Sequence, residues 1–406
     1  MEGNRVAVIP KPEIIKSHRF IFVTDDLGSG TSIMKAIMPS RSISFHGGIS
    51  SFFDYSSFLK EYIYQKKWSR DDVIILTKFV PGARVDHFYE MIEELYKIKS
   101  EIGFIFCEAS EELSFAAIES YSEEKDKFSI KKIINLIDGY LYETKPLHDL
   151  IQDKFDSVPG LFTRHPHSNC SSFFNPYSPI NIDNQLQEFN NKKEKDPEEL
   201  FGIVSQQAYK NIANVSSLGY IGRAKYCHNF TMLMRACYNA SHKVGRPLNF
   251  YYSNSGVRNN LIMHYENLDL GLINLYRNRS KKAKIWFDYK ASSKILCMWS
   301  LGIPVLCSPL PSYVKVMQDC NIDVDKWTFD FESLRYYDQK HTFQNFHMKS
   351  IEDGKLLSEK IFETISDKNF EEEREKLFIA SRYYNPVNIG WLYSGLFNFL
   401  NENRGL

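Results

Sequence analysis

Short apolar runs alternate with longer amphipathic segments along most of this chain, and that rhythm limits the possible folds more than any other feature. Unbroken apolar runs of strand length suit strands buried on both faces. Parallel strands need crossover helices, and those helices supply the cover. In the first half the runs place strands at Phe20–Thr24, Ile43–Phe45, Val73–Leu76, Ile102–Cys107, Gly139–Tyr142 and Gly160–Thr163. Between them, Asp86–Lys99 spaces Phe88, Met91, Ile92 and Leu95 three and four residues apart, the pattern of a helix with one apolar face. The alternation restarts with strands near Phe201–Val204 and at Leu218–Ile221, Leu248–Tyr252, Leu270–Leu275 and Pro304–Cys307, with a helix over Phe230–Ser241. The expected class is α/β, built as two Rossmann-like domains.

A length of 406 residues suits two domains. The composition turns to Asn, Ser, Pro and charge before the second series of strands, ending in the run from Asn190 to Glu199. A segment this polar reads as a connection. The expected organisation is an N-terminal Rossmann-like domain over 1–167, a polar linker over 168–199, a second Rossmann-like domain over 200–370, and terminal helices over 371–406. That tail is rich in aromatics (Tyr383, Tyr384, Trp391, Tyr393, Phe397) and is punctuated by Pro386.

Composition narrows the function classes. Fifty Lys and Arg balance fifty Asp and Glu, which argues against a nucleic-acid partner bound by phosphate neutralisation. The seven cysteines are scattered and form no Cys-x-x-Cys pair, as expected of reduced thiols and not of a disulfide framework or a zinc site. The N-terminal segment lacks the apolar stretch of a signal peptide, and no run reaches the roughly 18 apolar residues of a membrane span. The expectation is a soluble, cytoplasmic protein with no transmembrane segment.

Two segments carry chemistry. In Leu218-Gly-Tyr-Ile-Gly222-Arg223 a strand ends in glycine, which lets the backbone approach a ligand, followed by a guanidinium suited to bidentate phosphate contact. An arginine at a strand end serves equally well in a surface ion pair. In the segment from Lys290 to Ser308, a helix opening at Ser292 and Ser293 would gather hydroxyls, free backbone N–H groups, Lys290 and Lys294 at its positive end, with Gly302 closing it before a buried strand. That assembly suits a diphosphate; the plainer reading is a capped helix with solvated lysines.

Together these segments resemble the C-terminal domain of GT-B glycosyltransferases of the retaining, glycogen-synthase-like type. Leu218 to Ala240 is similar to that family's strand ending in Gly-Arg and the helix after it. Lys290 to Ser308 is similar to its segment in which Lys-Pro-x-x-Lys-Leu leads through a helix to Gly-x-Pro-Val. The resemblance covers about 90 residues of the second half. It implies a nucleotide-diphosphate-sugar donor held mostly by the second domain, an unidentified acceptor on the first, and terminal helices that cross back to the first domain. It assigns donor binding to Gly222, Arg223, His228, Lys290, Ser292, Ser293 and Lys294, with no cofactor and no metal required, because cationic side chains offset charge on the leaving diphosphate. The family's usual lysine is His228 here, and the places of its two glutamates fall on Tyr289 and Cys297. Asp323-Val-Asp325 has the spelling of a metal motif but lies beyond the main segment.

In the first half, the loop Asp25-Asp-Leu-Gly28-Ser-Gly30 follows the first strand. It matches neither a dinucleotide fingerprint nor a Walker loop. His46, Glu108 and His165 fall at expected strand ends and are the candidate general bases should the reaction invert configuration. His165-Pro-His167 has no third ligand for zinc, and no G-x-S-x-G elbow is present. The leading expectation is sugar transfer. The alternatives are a nucleotide-sugar epimerase of the same fold and a catalytically silent nucleotide-sugar-binding module.

Overall fold

Strands with unbroken apolar runs do pair in parallel here. The computed structural model describes residues 12–28, 30–77, 85–109, 132–152, 157–167, 169–170, 174–175, 182–194, 196–205, 209–222, 230–253, 265–273, 292–330 and 343–403. The chain divides into two units, Met1–Ser205 with Tyr384–Leu406, and Gln206–Tyr383.

The first unit holds β1 (Arg19–Thr24), β2 (Ile49–Asp54), β3 (Asp72–Leu76), β4 (Phe104–Glu108), β5 (Gly139–Tyr142) and β6 (Gly160–Phe162), all parallel, in the order β2-β1-β3-β4-β5-β6. Every residue of β3 is buried, as its central place requires, whereas β2 lies at the sheet edge and is only partly covered. Arg19 and Asp72 join the starts of β1 and β3 at 2.6 Å, with Tyr62 also donating to Asp72. The second unit holds β7 (Ser217–Ile221), β8 (Asn249–Ser253), β9 (Leu270–Ile273) and β10 (Val305–Cys307), parallel in the order β10-β9-β7-β8. No helix among the described residues is long and apolar enough to cross a membrane.

Several expected elements move. Ile43–Phe45 is the end of a helix, not a strand; the second strand begins at Ile49. Phe201–Val204 belongs to the helix Pro197–Ser205. The expected connection over 168–199 contributes Cys170, Phe174, Ile182 and Leu186 to a buried cluster with Ile33, Ile37, Met38, Val204 and Val387. Its polar residues surround a few apolar ones that pack. In the tail, the helix Phe370–Arg382 belongs to the second unit, and the segment that joins the first unit starts at Tyr384. There the helix Ser394–Glu402 lies on the sheet, with Phe397 edge-on to Phe20 and Phe399 edge-on to Phe104 and Phe106.

Candidate functional site

Ligands of open parallel sheets sit beyond the carboxyl ends of the strands, where the strand order reverses. In the second unit that point is at β7, which has β8 on one side and β9 on the other. The chain leaves β7 through Gly222 at φ +149°, a conformation that favours glycine. Lys294 comes to this place from the helix Ser293–Trp299. Its Nζ donates to the Ile221 carbonyl at 2.8 Å and to the Tyr220 hydroxyl at 3.2 Å, and lies 4.5 Å from the Tyr220 ring centroid. A Cβ on residue 222 would stand 2.1 Å from that amine. The Tyr220 ring runs parallel to that of Tyr252, with centroids 6.4 Å apart. The two sequence segments therefore meet in space.

The start of the helix differs from expectation. Ser292 is buried and its carbonyl accepts from the amides of Ile295 and Leu296, but its hydroxyl does not cap the helix. Ser293, partly buried, is the first helical residue. Gly302 ends the turn as expected: at φ +68° its amide donates to Trp299 and the next amide donates to Met298, a glycine-terminated C-cap. Cys297 is buried within the helix. Asp323 of the Asp-x-Asp spelling caps a short helix by accepting from the Lys326 amide. Arg223, His228, Tyr289 and Lys290 lie outside the described residues.

In the first unit the strand ends bring together four charged or titratable groups. Glu108 closes β4, Glu143 follows β5, His165 follows β6, and Lys35 comes from the helical segment after β1. Glu108 Oε1 pairs with Lys35 Nζ at 2.8 Å, and His165 Nε2 is 3.5 Å from the same oxygen and 3.0 Å from Glu143 Oε2. These side chains are between 5% and 12% exposed, so solvent screens their interactions little. Burial, reinforced by the Glu108 charge, pushes the Tyr393 phenol well above its ordinary range and keeps it neutral. Cys107 is pushed up by burial and then by Glu108, against an opposing effect of Lys35.

Of the three candidate bases, Glu108 and His165 are thus neighbours and His46 is not with them. The chain from Gly30 to Phe45 runs helically from the carboxyl ends of the strands back towards their amino ends, and His46 sits at its far end. Its Nε2 lies 2.5 Å from the Val387 carbonyl, and Ser42 donates to the Pro386 carbonyl, so this surface holds the returning tail. Glu143 falls under the same strand-end rule as Glu108 and is open to it from sequence. Nothing in the sequence marks Lys35, whose direction depends on the π-helical turn Ile33–Ile37.

No family model matches the chain, and no curated protein matches it. Among solved structures, it is similar to the pneumococcal O-GlcNAc transferase GtfA in complex with UDP and GlcNAc, at 11% identity and a TM-score of 0.45, over 87% of this chain and 61% of that one. The chain thus spans about three fifths of that protein's length. It is also similar to MnaA of S. aureus bound to UDP (10%, TM-score 0.40, 95% and 97% of the two chains) and to an α,α-trehalose-phosphate synthase (UDP-forming) from Burkholderia vietnamiensis (8%, TM-score 0.43, 95% and 100%).

Proposed function

We propose that this protein is a GT-B glycosyltransferase that moves a sugar from a nucleotide-diphosphate donor to an acceptor, with retention of configuration and without a metal ion. One observation carries the reading: the Lys294 ammonium stands against Gly222 at the carboxyl end of β7. A backbone turn without a side chain beside a cation hydrogen-bonded to the strand end suits diphosphate oxygens. Arg223, Lys290 and His228 are assigned to the same diphosphate, with Ser292 and Ser293 on the donor side. Glu108 and His165 are assigned to the acceptor side, and act as general base on a reacting hydroxyl only if the product's configuration is inverted. The positive charge at Lys294, Arg223 and Lys290 stabilises the departing diphosphate, the role a divalent ion takes elsewhere.

The test is a thermal-shift screen with UDP-, GDP-, ADP-, CMP- and TDP-sugars, because a ligand that binds only the folded chain raises its melting temperature. One donor is expected to stabilise the protein, and Lys294→Ala or Arg223→Ala should weaken it by about tenfold or more, the loss of a charged hydrogen bond. Unchanged binding in both variants would remove the donor assignment. Turnover that survives EDTA, and an anomeric configuration kept in the product, check the other two parts. Free nucleotide released only with an acceptor separates transfer from epimerisation, and binding without turnover identifies a silent module.

A further inference from the structure

The two oxygens of Glu108 have different surroundings. Oε1 meets Lys35 at 2.8 Å and faces His165. Oε2 is buried and has no hydrogen-bond partner among the described residues. Buried carboxylate oxygens in folded proteins are nearly always satisfied, so an oxygen left open at the carboxyl edge of a parallel sheet is a place for a donor from outside the chain. The neighbouring charges say which kind. A cation beside Glu108 would be drawn by the two carboxylates but repelled by Lys35, and an anion would meet both Glu108 and Glu143. A neutral O–H donor faces neither penalty.

The supporting groups are built for position. Lys35 is the middle residue of the π-helical turn Ile33–Ile37, whose Ile33, Ala36 and Ile37 are buried. Such a turn adds one residue to the helical cycle and redirects the side chains it carries, a device often found at functional sites. His165 is held between two carboxylates, which fixes its ring.

We propose that Glu108 Oε2 receives a hydrogen bond from a sugar hydroxyl, and that Lys35 and Glu143 are positioning residues that hold Glu108 and His165 for that contact. The proposal rests on the glycosyltransferase reading and adds the chemistry of recognition in the first unit. The hydroxyl belongs either to the donor sugar or to the acceptor, and the experiment separates the two.

In the donor arm, calorimetry compares UDP, GDP and ADP with their glucose and N-acetylglucosamine conjugates on the full chain. In the acceptor arm, saturation-transfer NMR follows methyl glucosides and N-acetylglucosamine both without nucleotide and with UDP added. The variants are Lys35→Met, Lys35→Arg, Glu143→Gln and the double change Lys35→Met/Glu108→Leu, which leaves no stranded charge if the single change fails to fold. The expected result is a loss of about tenfold in sugar-dependent affinity in one arm, with affinity for the bare nucleotide within about twofold and partial recovery in Lys35→Arg. Wild-type sugar affinity in folded Lys35→Met and in the double variant overturns the proposal. So does an equal weakening of sugar and bare nucleotide, or the absence of sugar binding to the wild-type chain in both arms. If the wild-type chain binds no nucleotide or conjugate, the donor reading fails by itself, and the acceptor arm still decides the Glu108 site.

Discussion

Gly222 shows how a single missing side chain shapes the candidate donor site. Its φ of +149° and the amine 2.1 Å from where a Cβ would stand are separate constraints. The amine is the end of a flexible chain and can swing away, but the hydroxyl of buried Tyr220, 2.8 Å from the same position, must shift as well, so Gly222→Ala adds a clash to a backbone strain of about 1–3 kcal/mol, or several degrees of melting temperature. Swinging away takes Lys294 off the Ile221 carbonyl, so Gly222→Ala should also weaken nucleotide-sugar binding. Gly302→Ala is the control. Its Cβ would meet the Tyr209 ring at 2.6 Å, and that ring packs on Phe378 and lies 4.8 Å from the Arg374 guanidinium. Both substitutions press on a packed tyrosine, so Gly302→Ala should lose a comparable amount of stability with no comparable loss of binding at equal folded fraction. Melting curves paired with calorimetry on both variants check this. Equal binding losses would mean that Lys294 has no special tie to residue 222.

At the scale of elements, one carboxylate ties together the starts of two strands. Asp269, just before β9, accepts from Lys210 Nζ at 2.8 Å, from the amides of Ser216 and Ser217 at 2.8 and 2.9 Å, and from the Ser216 hydroxyl at 2.9 Å. Burial opposes ionisation, but Lys210 and the serine donors outweigh it and hold the carboxyl below its ordinary value of 3.8. A depressed folded-state value means that the unfolded chain takes up a proton first as the pH falls. The stabilisation is therefore complete above about pH 4 and disappears as the pH drops through the folded-state value. Asp269→Asn should cost about 1–3 kcal/mol at neutral pH, with the gap to wild type closing below pH 4 in urea melts; a gap independent of pH would point to packing instead. The strands here were legible because their apolar runs are unbroken, as in Val73–Leu76 and Leu218–Ile221. The failures have local causes. Ile43-Ser-Phe45 alternates like a strand, yet the buried residues Ile33, Ile37, Ser40 and Ile43 recur three and four apart as on a helix, and Pro39 and the polar Ser40 hide the continuity. Edge strand β2 opens with Ile-Ser-Ser and is half covered, so it lacks the apolar signature. In the candidate sites, Lys294 and Gly222 could be paired because each sits in its own motif. Lys35 could not, because a π-helical turn sets its direction and leaves no mark in composition.

For the molecule as a whole, the first unit depends on residues far apart in the chain. Its sheet is covered in part by Tyr384–Leu406, in which Val387, Ile389, Leu392, Leu396, Phe397 and Leu400 are each no more than 2% exposed. At about 1.5–3 kcal/mol for each buried side chain, these six contribute on the order of 10–18 kcal/mol. Even half of that approaches the total stability of a typical domain, about 5–15 kcal/mol. Polar pins add to it: Arg164 donates to the Trp391 carbonyl at 3.3 Å with its guanidinium 3.6 Å from the Trp391 ring centroid, and the His167 amide donates to the Tyr384 carbonyl at 2.9 Å. The second unit, Gln206–Tyr383, is continuous and contains its whole sheet. Removing residues 384–406 should therefore unfold the first unit and spare the second. Limited proteolysis with mass spectrometry of the fragments should recover a protected piece within 206–383 and lose residues 1–205, whereas the full chain should protect both. Survival of 1–205 in the shortened chain would show that the tail is a covering the first unit can do without. Loss of both units would show that the second cannot hold its fold alone.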